Sequence, residues 1–196
     1  CCDEFKTDEW NCDVVVVSSN KGLAIPPGLA FITFSDKALE RVSSSDLPKY
    51  YFDIKTYIKN QVRGHTPFTP PIGILFQLQR RLQKYKEEGI EKVLSKNKAL
   101  SQQLREGVKK LNFKLISESP SNGVTVISCP EGVDAREVVA VLRKKYHIEV
   151  TPSPPPYDKS IFRIAVLGDI HEQDVENLLS ALREILNQFY TNKYYI

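Results

Sequence analysis

Three kinds of side chain in this 196-residue chain stand where they could do chemistry. Lys21 follows the valines Val14–Val17 and the turn residues Ser18-Ser19-Asn20, and Gly22 comes directly after it. An apolar run bounded by turn residues reads as a strand, and here as a buried one, because no polar residue alternates with the valines. A primary amine at the end of such a strand is held still, and a held amine can act as nucleophile or base. Arg163 lies inside the apolar run Phe162–Leu167. An unpaired guanidinium is prohibitive to bury, so this arginine calls for an internal salt bridge, an edge position, or a bound carboxylate gripped by its planar fork. Thr66 and Thr69 stand beside Pro67 and Pro70, which makes them hydroxyl donors on a stiffened loop, suited to a phosphate. Each also has a plainer reading, since most lysines are solvated and most loop threonines are structural.

Composition removes several classes of function. The net charge is +3, and no basic run exceeds Arg143-Lys144-Lys145, which argues against nucleic acid and against an anionic membrane surface. Hydrophobic residues are 41% and charged residues 26%, as in a soluble globular protein, and no apolar run approaches the roughly 20 residues that span a bilayer. Cys1, Cys2, Cys12 and Cys129 have neither metal-ligand nor CxxC spacing, and His65, His147 and His171 add no cluster. No metal site is therefore expected. Reduced thiols in a cytoplasmic protein are the plain reading. No Ser/His/Asp order and no Gly-rich phosphate loop supports a hydrolase or nucleotidase. The chain opens on Cys1-Cys2-Asp3 and contains no methionine, so the sequence reads as a fragment.

The elements that must position these residues follow in order. Val14–Val17 and Gly28–Ser35 are strands joined through Pro26-Pro27-Gly28, and Ser35 caps a short helix from Asp36 to Val42. Residues 48–71 are rich in aromatics and proline and read as an ordered loop. Ile72, Leu75, Phe76 and Leu82 mark the core face of a helix ending at Glu88, with Gly89 as the stop. A second helix starts at Ile90 and buries Val93, Leu100, Leu104, Val108 and Leu111. Strands follow at Phe113–Ser117, Gly123–Ser128, Ile148–Thr151 and Phe162–Leu167. Asp134 caps a helix through Tyr146, with Val138, Val141 and Leu142 inward, and a last helix runs from His171 to a frayed tail at 191–196. This alternation predicts a small α/β sandwich, its three- or four-stranded sheet covered on one face.

A lysine, a strand arginine and phosphate-binding hydroxyls together suit pyridoxal 5'-phosphate. That cofactor needs an amine for its aldehyde, an anchor for its phosphate, and a cation for the amino-acid carboxylate. The stretch SSNKGLAIPPGLAFITFSDKA resembles the Schiff-base lysine segment of class V, fold-type I aminotransferases, closest to the alanine–glyoxylate and serine–pyruvate group. TPFTPPIGILFQL resembles that group's Thr-Pro loop and FRIAVLGD its substrate-arginine strand, in the family's order. The resemblance implies an α/β fold, the C-terminal part of a fold-type I PLP-dependent transferase. Residues 1–47 would be the remnant of the large cofactor-binding domain, 48–88 an inter-domain and dimer loop with a linking helix, and 89–196 the small C-terminal α/β domain.

The resemblance also implies roles. Lys21 would be the Schiff-base lysine and the base for the 1,3-proton shift, and Arg163 would bind the substrate carboxylate. Thr69 and Thr66 would reach the phosphate bound in the partner subunit of a homodimer. Asn20, where the family usually has Gln, would give an amide to the phosphate. Implied substrates are a small amino acid, alanine or serine, and a 2-oxo acid, glyoxylate or pyruvate. The family's aspartate on the pyridine nitrogen, its ring-stacking aromatic and its Gly-rich anchor all precede the first residue of this chain. Two other readings stay open. One is a further class V activity such as a desulfurase or lyase, with Cys129 taken as structural. The other is a non-catalytic fragment or dimerisation module.

Overall fold

The valine strand pairs antiparallel with the second apolar run. β1 (Val14–Ser18) lies against β2 (Ala30–Phe34) with Val14 opposite Phe34 and Ser18 opposite Ala30. A two-stranded ribbon has side chains on two faces, and here Val14 is 50% and Val16 65% exposed while Val15 and Val17 are half-buried. The expectation of a strand buried on both faces is therefore corrected to one covered on a single face within the described residues. A computed structural model describes residues 2–193, and they fall into two units. One is Phe5–Lys84; the other takes the described residues up to Glu4 together with those from Tyr85 onward.

In the first unit, α1 (Asp36–Ser44) is capped by Ser35, whose Oγ accepts from the Ala38 amide at 3.1 Å. The same Oγ donates to Asp13 at 2.8 Å, and Lys37 Nζ donates to Asp13 at 2.8 Å, so the start of the helix is tied to the chain entering β1. The aromatic stretch holds α2 (Ile54–Gln61), which corrects the expectation of an uninterrupted loop. Its prolines lie outside the turn-forming residues, and Asp53 caps it by accepting from the Lys55 amide at 3.3 Å and the Thr56 hydroxyl at 2.7 Å. α3 (Ile72–Glu88) has the expected bounds but not the expected burial. Ile72 is 53%, Phe76 67% and Leu82 49% exposed, so its apolar stripe is no core within the described residues.

In the second unit, Gly89 at φ +87 breaks the backbone between α3 and α4 (Ile90–Lys110). Then come β3 (Lys114–Leu115), β4 (Val124–Ser128), α5 (Ala135–Tyr146), β5 (Thr151–Pro152), β6 (Ile161–Ala165) and α6 (Glu172–Lys193). The strands form one antiparallel sheet in the order β3-β4-β6-β5. Thr125, Ile127, Phe162 and Ile164 alternate inward beneath α4, α5 and α6, and meet Leu104, Val108, Val138, Leu142, Leu182 and Ile185. Each fully buried side chain of that size contributes roughly 1.5–3 kcal/mol. Phe162 meets Phe113 edge to face, with ring centroids 6.0 Å apart. The mixed α/β sandwich covered on one face is thus observed. β5 is shorter and starts later than the sequence suggests, and in α5 Val139 is buried as well, while Val141 packs partly buried against the core. Thr191–Lys193 belong to α6, and residues 194–196 of the expected frayed tail lie outside the described residues. Among the described residues no helix is long and apolar enough to cross a membrane.

Candidate active site

Lys21 sits on the 19–29 loop between β1 and β2. Leu23 and Ile25 turn inward and are 8% and 9% exposed, while Asn20 and Lys21 face outward. The Ala24 amide donates to the Lys21 carbonyl at 2.8 Å, closing a tight turn directly after the amine. Ser19 underlies the loop and is fully buried. Its Oγ donates to the Pro26 carbonyl at 2.8 Å and accepts from the Leu29 amide at 3.3 Å. Its backbone amide donates to the Leu29 carbonyl at 3.1 Å, and its carbonyl accepts from the Ile25 amide at 3.4 Å. At the loop's far end Gly28, at φ +138, backs onto Ile74 of α3 so closely that a Cβ there would collide with the Ile74 side chain. Neither Lys21 Nζ nor the Asn20 amide has a hydrogen bond or ion pair among the described residues. Sequence reasoning passed over Ser19, because one serine among turn residues carries no sign that it will be buried.

Thr66 and Thr69 come together on a cavity of about 470 Å³ in the same unit, walled by Tyr51, Tyr57, Phe68 and the Gly28–Ala30 end of the Lys21 loop. The rings of Tyr51 and Phe68 stand 4.7 Å apart. Partial desolvation, reinforced by the neighbouring Tyr51, pushes the Tyr57 phenol up. Thr66 Oγ1 donates to the Phe68 carbonyl at 2.7 Å, so its proton is already engaged and only its lone pairs are free. The Thr69 hydroxyl has no partner among the described residues and keeps its donor. Lys21 and Asn20 are not among the residues lining this cavity.

Arg163 belongs to the second unit. Its neighbours in sequence, Phe162 and Ile164, are buried at 0% and 4%, whereas Arg163 is exposed on the face of the sheet away from the helices. It stands in register between Val126 on β4 and Thr151 on β5. Of the partners weighed from sequence, an internal salt bridge is not found: no carboxylate pairs with the Arg163 guanidinium among the described residues. Its fork is open to an incoming carboxylate.

The thiols Cys2, Cys12 and Cys129 are free. Burial first, and the nearby charge of Asp134 second, push the Cys129 thiol up to about 12, which leaves almost no thiolate at neutral pH and makes it a poor nucleophile. Among the described residues no group of three or more His, Cys, Asp or Glu side chains could hold a metal ion.

The family model described as Aminotransferase class-V matches residues 3–153, and the chain belongs to that family. It is 36% identical over 94% of its length to a protein of Synechococcus named soluble hydrogenase, small subunit, covering 49% of that protein. It is 34% identical over 86% of its length to the serine–glyoxylate aminotransferase of Methylorubrum extorquens, covering 44% of it. Among solved structures it resembles ureidoglycine–glyoxylate aminotransferase from Bacillus subtilis. That match has a TM-score of 0.83 and 25% identity, over 95% of this chain and 50% of the other. The chain spans about half the length of the curated relatives it matches.

The cofactor this family implies is pyridoxal 5'-phosphate. The donor set fits it. Lys21 has an unengaged amine for an aldehyde, Asn20 and Thr69 have unengaged donors for a phosphate, and Arg163 has an unengaged guanidinium for a carboxylate.

Proposed function

We propose that this chain is the C-terminal part of a pyridoxal 5'-phosphate-dependent aminotransferase. The enzyme moves an amino group from a small amino acid, alanine or serine, to a 2-oxo acid, glyoxylate or pyruvate. The observation that carries the reading is Arg163, a guanidinium on the open face of the sheet with no carboxylate partner among the described residues. A charge placed so in a strand is an anion receptor, and its planar fork suits the one feature that both amino-acid donor and 2-oxo-acid acceptor share, the α-carboxylate.

In this reading residues 1–47 complete the large cofactor-binding domain, 48–88 form the inter-domain and dimer segment, and 89–196 are the small domain. The cofactor, when bound, supplies an aldehyde carbon that condenses with amines and a ring that accepts the electron pair left by a departing proton. Lys21 Nζ would hold the cofactor through its aldehyde carbon, and as a free amine would carry the proton from the substrate Cα to that carbon. Arg163 grips the α-carboxylate in two parallel hydrogen bonds and so fixes the substrate's orientation. Asn20 donates its amide to the phosphate. Thr69 donates its hydroxyl to the phosphate held by the other subunit of a cytoplasmic homodimer, and Thr66, by donating to the Phe68 carbonyl, fixes the Thr-Pro loop that carries Thr69. Family membership and the serine–glyoxylate relative support this choice of substrates. A desulfurase is not favoured, because the Cys129 thiol is pushed up to about 12.

Initial rates of the protein expressed from its full reading frame test the reading. Varying alanine or serine against glyoxylate or pyruvate is expected to give the parallel double-reciprocal lines of a ping-pong enzyme. Sulfide release from cysteine that outpaces every amino transfer would sink it.

A further inference from the structure

Ser19 has no part in the chemistry of that reaction, yet it is the most heavily bonded side chain of the Lys21 loop. It is 0% exposed, its Oγ gives a hydrogen bond to the Pro26 carbonyl at 2.8 Å, and it takes one from the Leu29 amide at 3.3 Å. The loop cannot close itself by backbone pairing alone, because Pro26 and Pro27 contribute no N–H. Besides the Ala24 N–H to Lys21 carbonyl turn, two backbone bonds of the loop meet at the same residue, from Ser19 N–H to the Leu29 carbonyl and from Ile25 N–H to the Ser19 carbonyl. One residue thus pins the loop at 25, 26 and 29, two positions before the amine.

We propose that Ser19 is a positioning residue for Lys21, its hydroxyl locking the 19–29 loop so that the amine is presented in one orientation. The inference rests on Lys21 being the amine that engages the cofactor. A proton taken from a substrate carbon needs the base held to within a fraction of an ångström, and a displacement of about 1 Å can cost on the order of a hundredfold in rate. Deleting the hydroxyl leaves the Pro26 carbonyl and the Leu29 amide without that partner, and the loop gains alternative conformations. The carboxylate grip at Arg163 is a separate contact, so the loss falls on turnover and not on substrate binding.

The test is Ser19→Ala in the protein expressed from its full reading frame, read in three ways. In the apoprotein, hydrogen exchange at the Leu29 and Ile25 amides is expected to speed up at least tenfold while the amides of β4 and β6 keep their protection. In the loaded enzyme, kcat is expected to fall about 10–100-fold with KM for the amino donor within about twofold. The pH midpoint of the bound cofactor's visible absorbance is expected to move as well. A looser loop with kcat and absorbance midpoint unchanged overturns the proposal, because Ser19 is then only structural. If Ser19→Ala does not fold, Ser19→Thr, which keeps the hydroxyl, decides. Turnover and titration like the parent's support the lock, whereas loss of kcat with Leu29 still protected overturns it. Failure of the underlying reading has a different signature: borohydride then leaves no pyridoxyl label on Lys21 of the unsubstituted protein.

Discussion

Arg163 on β6 stands opposite Thr151 on β5, in register, on the face of the sheet that α4, α5 and α6 leave open. Neither side chain has a hydrogen-bond partner among the described residues. The pairing puts a guanidinium and a hydroxyl side by side where residues one step along β6, Phe162 and Ile164, are buried in the core. A strand slipped by one residue would exchange the two faces, so the sandwich that buries Phe162 also exposes Arg163.

For Arg163 the prediction concerns carboxylate capture. Charge-assisted hydrogen bonds contribute about 1.5–3 kcal/mol each, so Arg163→Gln is expected to raise KM for the amino donor about 10–100-fold. Arg163→Lys keeps the charge but loses the fork and is expected to fall between the two. Steady-state kinetics with alanine and serine measure this. An unchanged KM in Arg163→Gln would remove Arg163 from the site.

Packing in the small domain gives a second prediction. A Cβ at Gly107 of α4 would collide with the Leu179 side chain of α6 at both its methyls and approach its branch carbon, so the whole side chain beyond Cβ must move. Replacing a helix glycine by alanine ordinarily gains about 1 kcal/mol, whereas overpacking costs about 1–3 kcal/mol. The clash is expected to win. Gly107→Ala should lower the thermal midpoint by a few degrees in calorimetry, and a raised midpoint would show that α6 shifts freely.

Cys129 carries a pH dependence. Its folded value is pushed up from 9.0 to about 12, so between those limits the native state keeps a proton that the unfolded chain loses. The contribution to stability is therefore full below about pH 9 and is lost as pH rises toward 12. Denaturant melts of the parent and Cys129→Ala at pH 8 and pH 10.5 measure the effect. The parent is expected to lose more stability over that interval than the variant, and equal losses would contradict the burial argument. Alkylation at pH 8 should likewise be slow at Cys129 until denaturant is added.

Much of the helical structure was legible because the helices from α3 onward are long and periodic. The bounds of α3 and α5, and the start of α4 at Ile90 after Gly89, follow from caps, breakers and spacing. What periodicity cannot show is whether an apolar face has anything to cover it. Val14 and Val16 of β1 and the Ile72–Leu82 stripe of α3 read as core, yet stand exposed within the described residues. α2 was hidden by the prolines on either side of it, although the eight residues from Ile54 to Gln61 contain none. At the site, Lys21 and Arg163 were legible by residue type and place. Ser19 was not, because its weight comes from contacts with Pro26 and Leu29 that only the closed loop creates.

The central claim is that Lys21 is the amine that holds the cofactor, and it can be read directly. The protein expressed from its full reading frame would be loaded with pyridoxal 5'-phosphate, reduced with borohydride and mapped by peptide mass spectrometry. The expected result is a single pyridoxyl adduct on the peptide containing Lys21, absent in Lys21→Ala together with the visible absorbance band. A stoichiometric adduct on another lysine, or a band that survives Lys21→Ala, would contradict it.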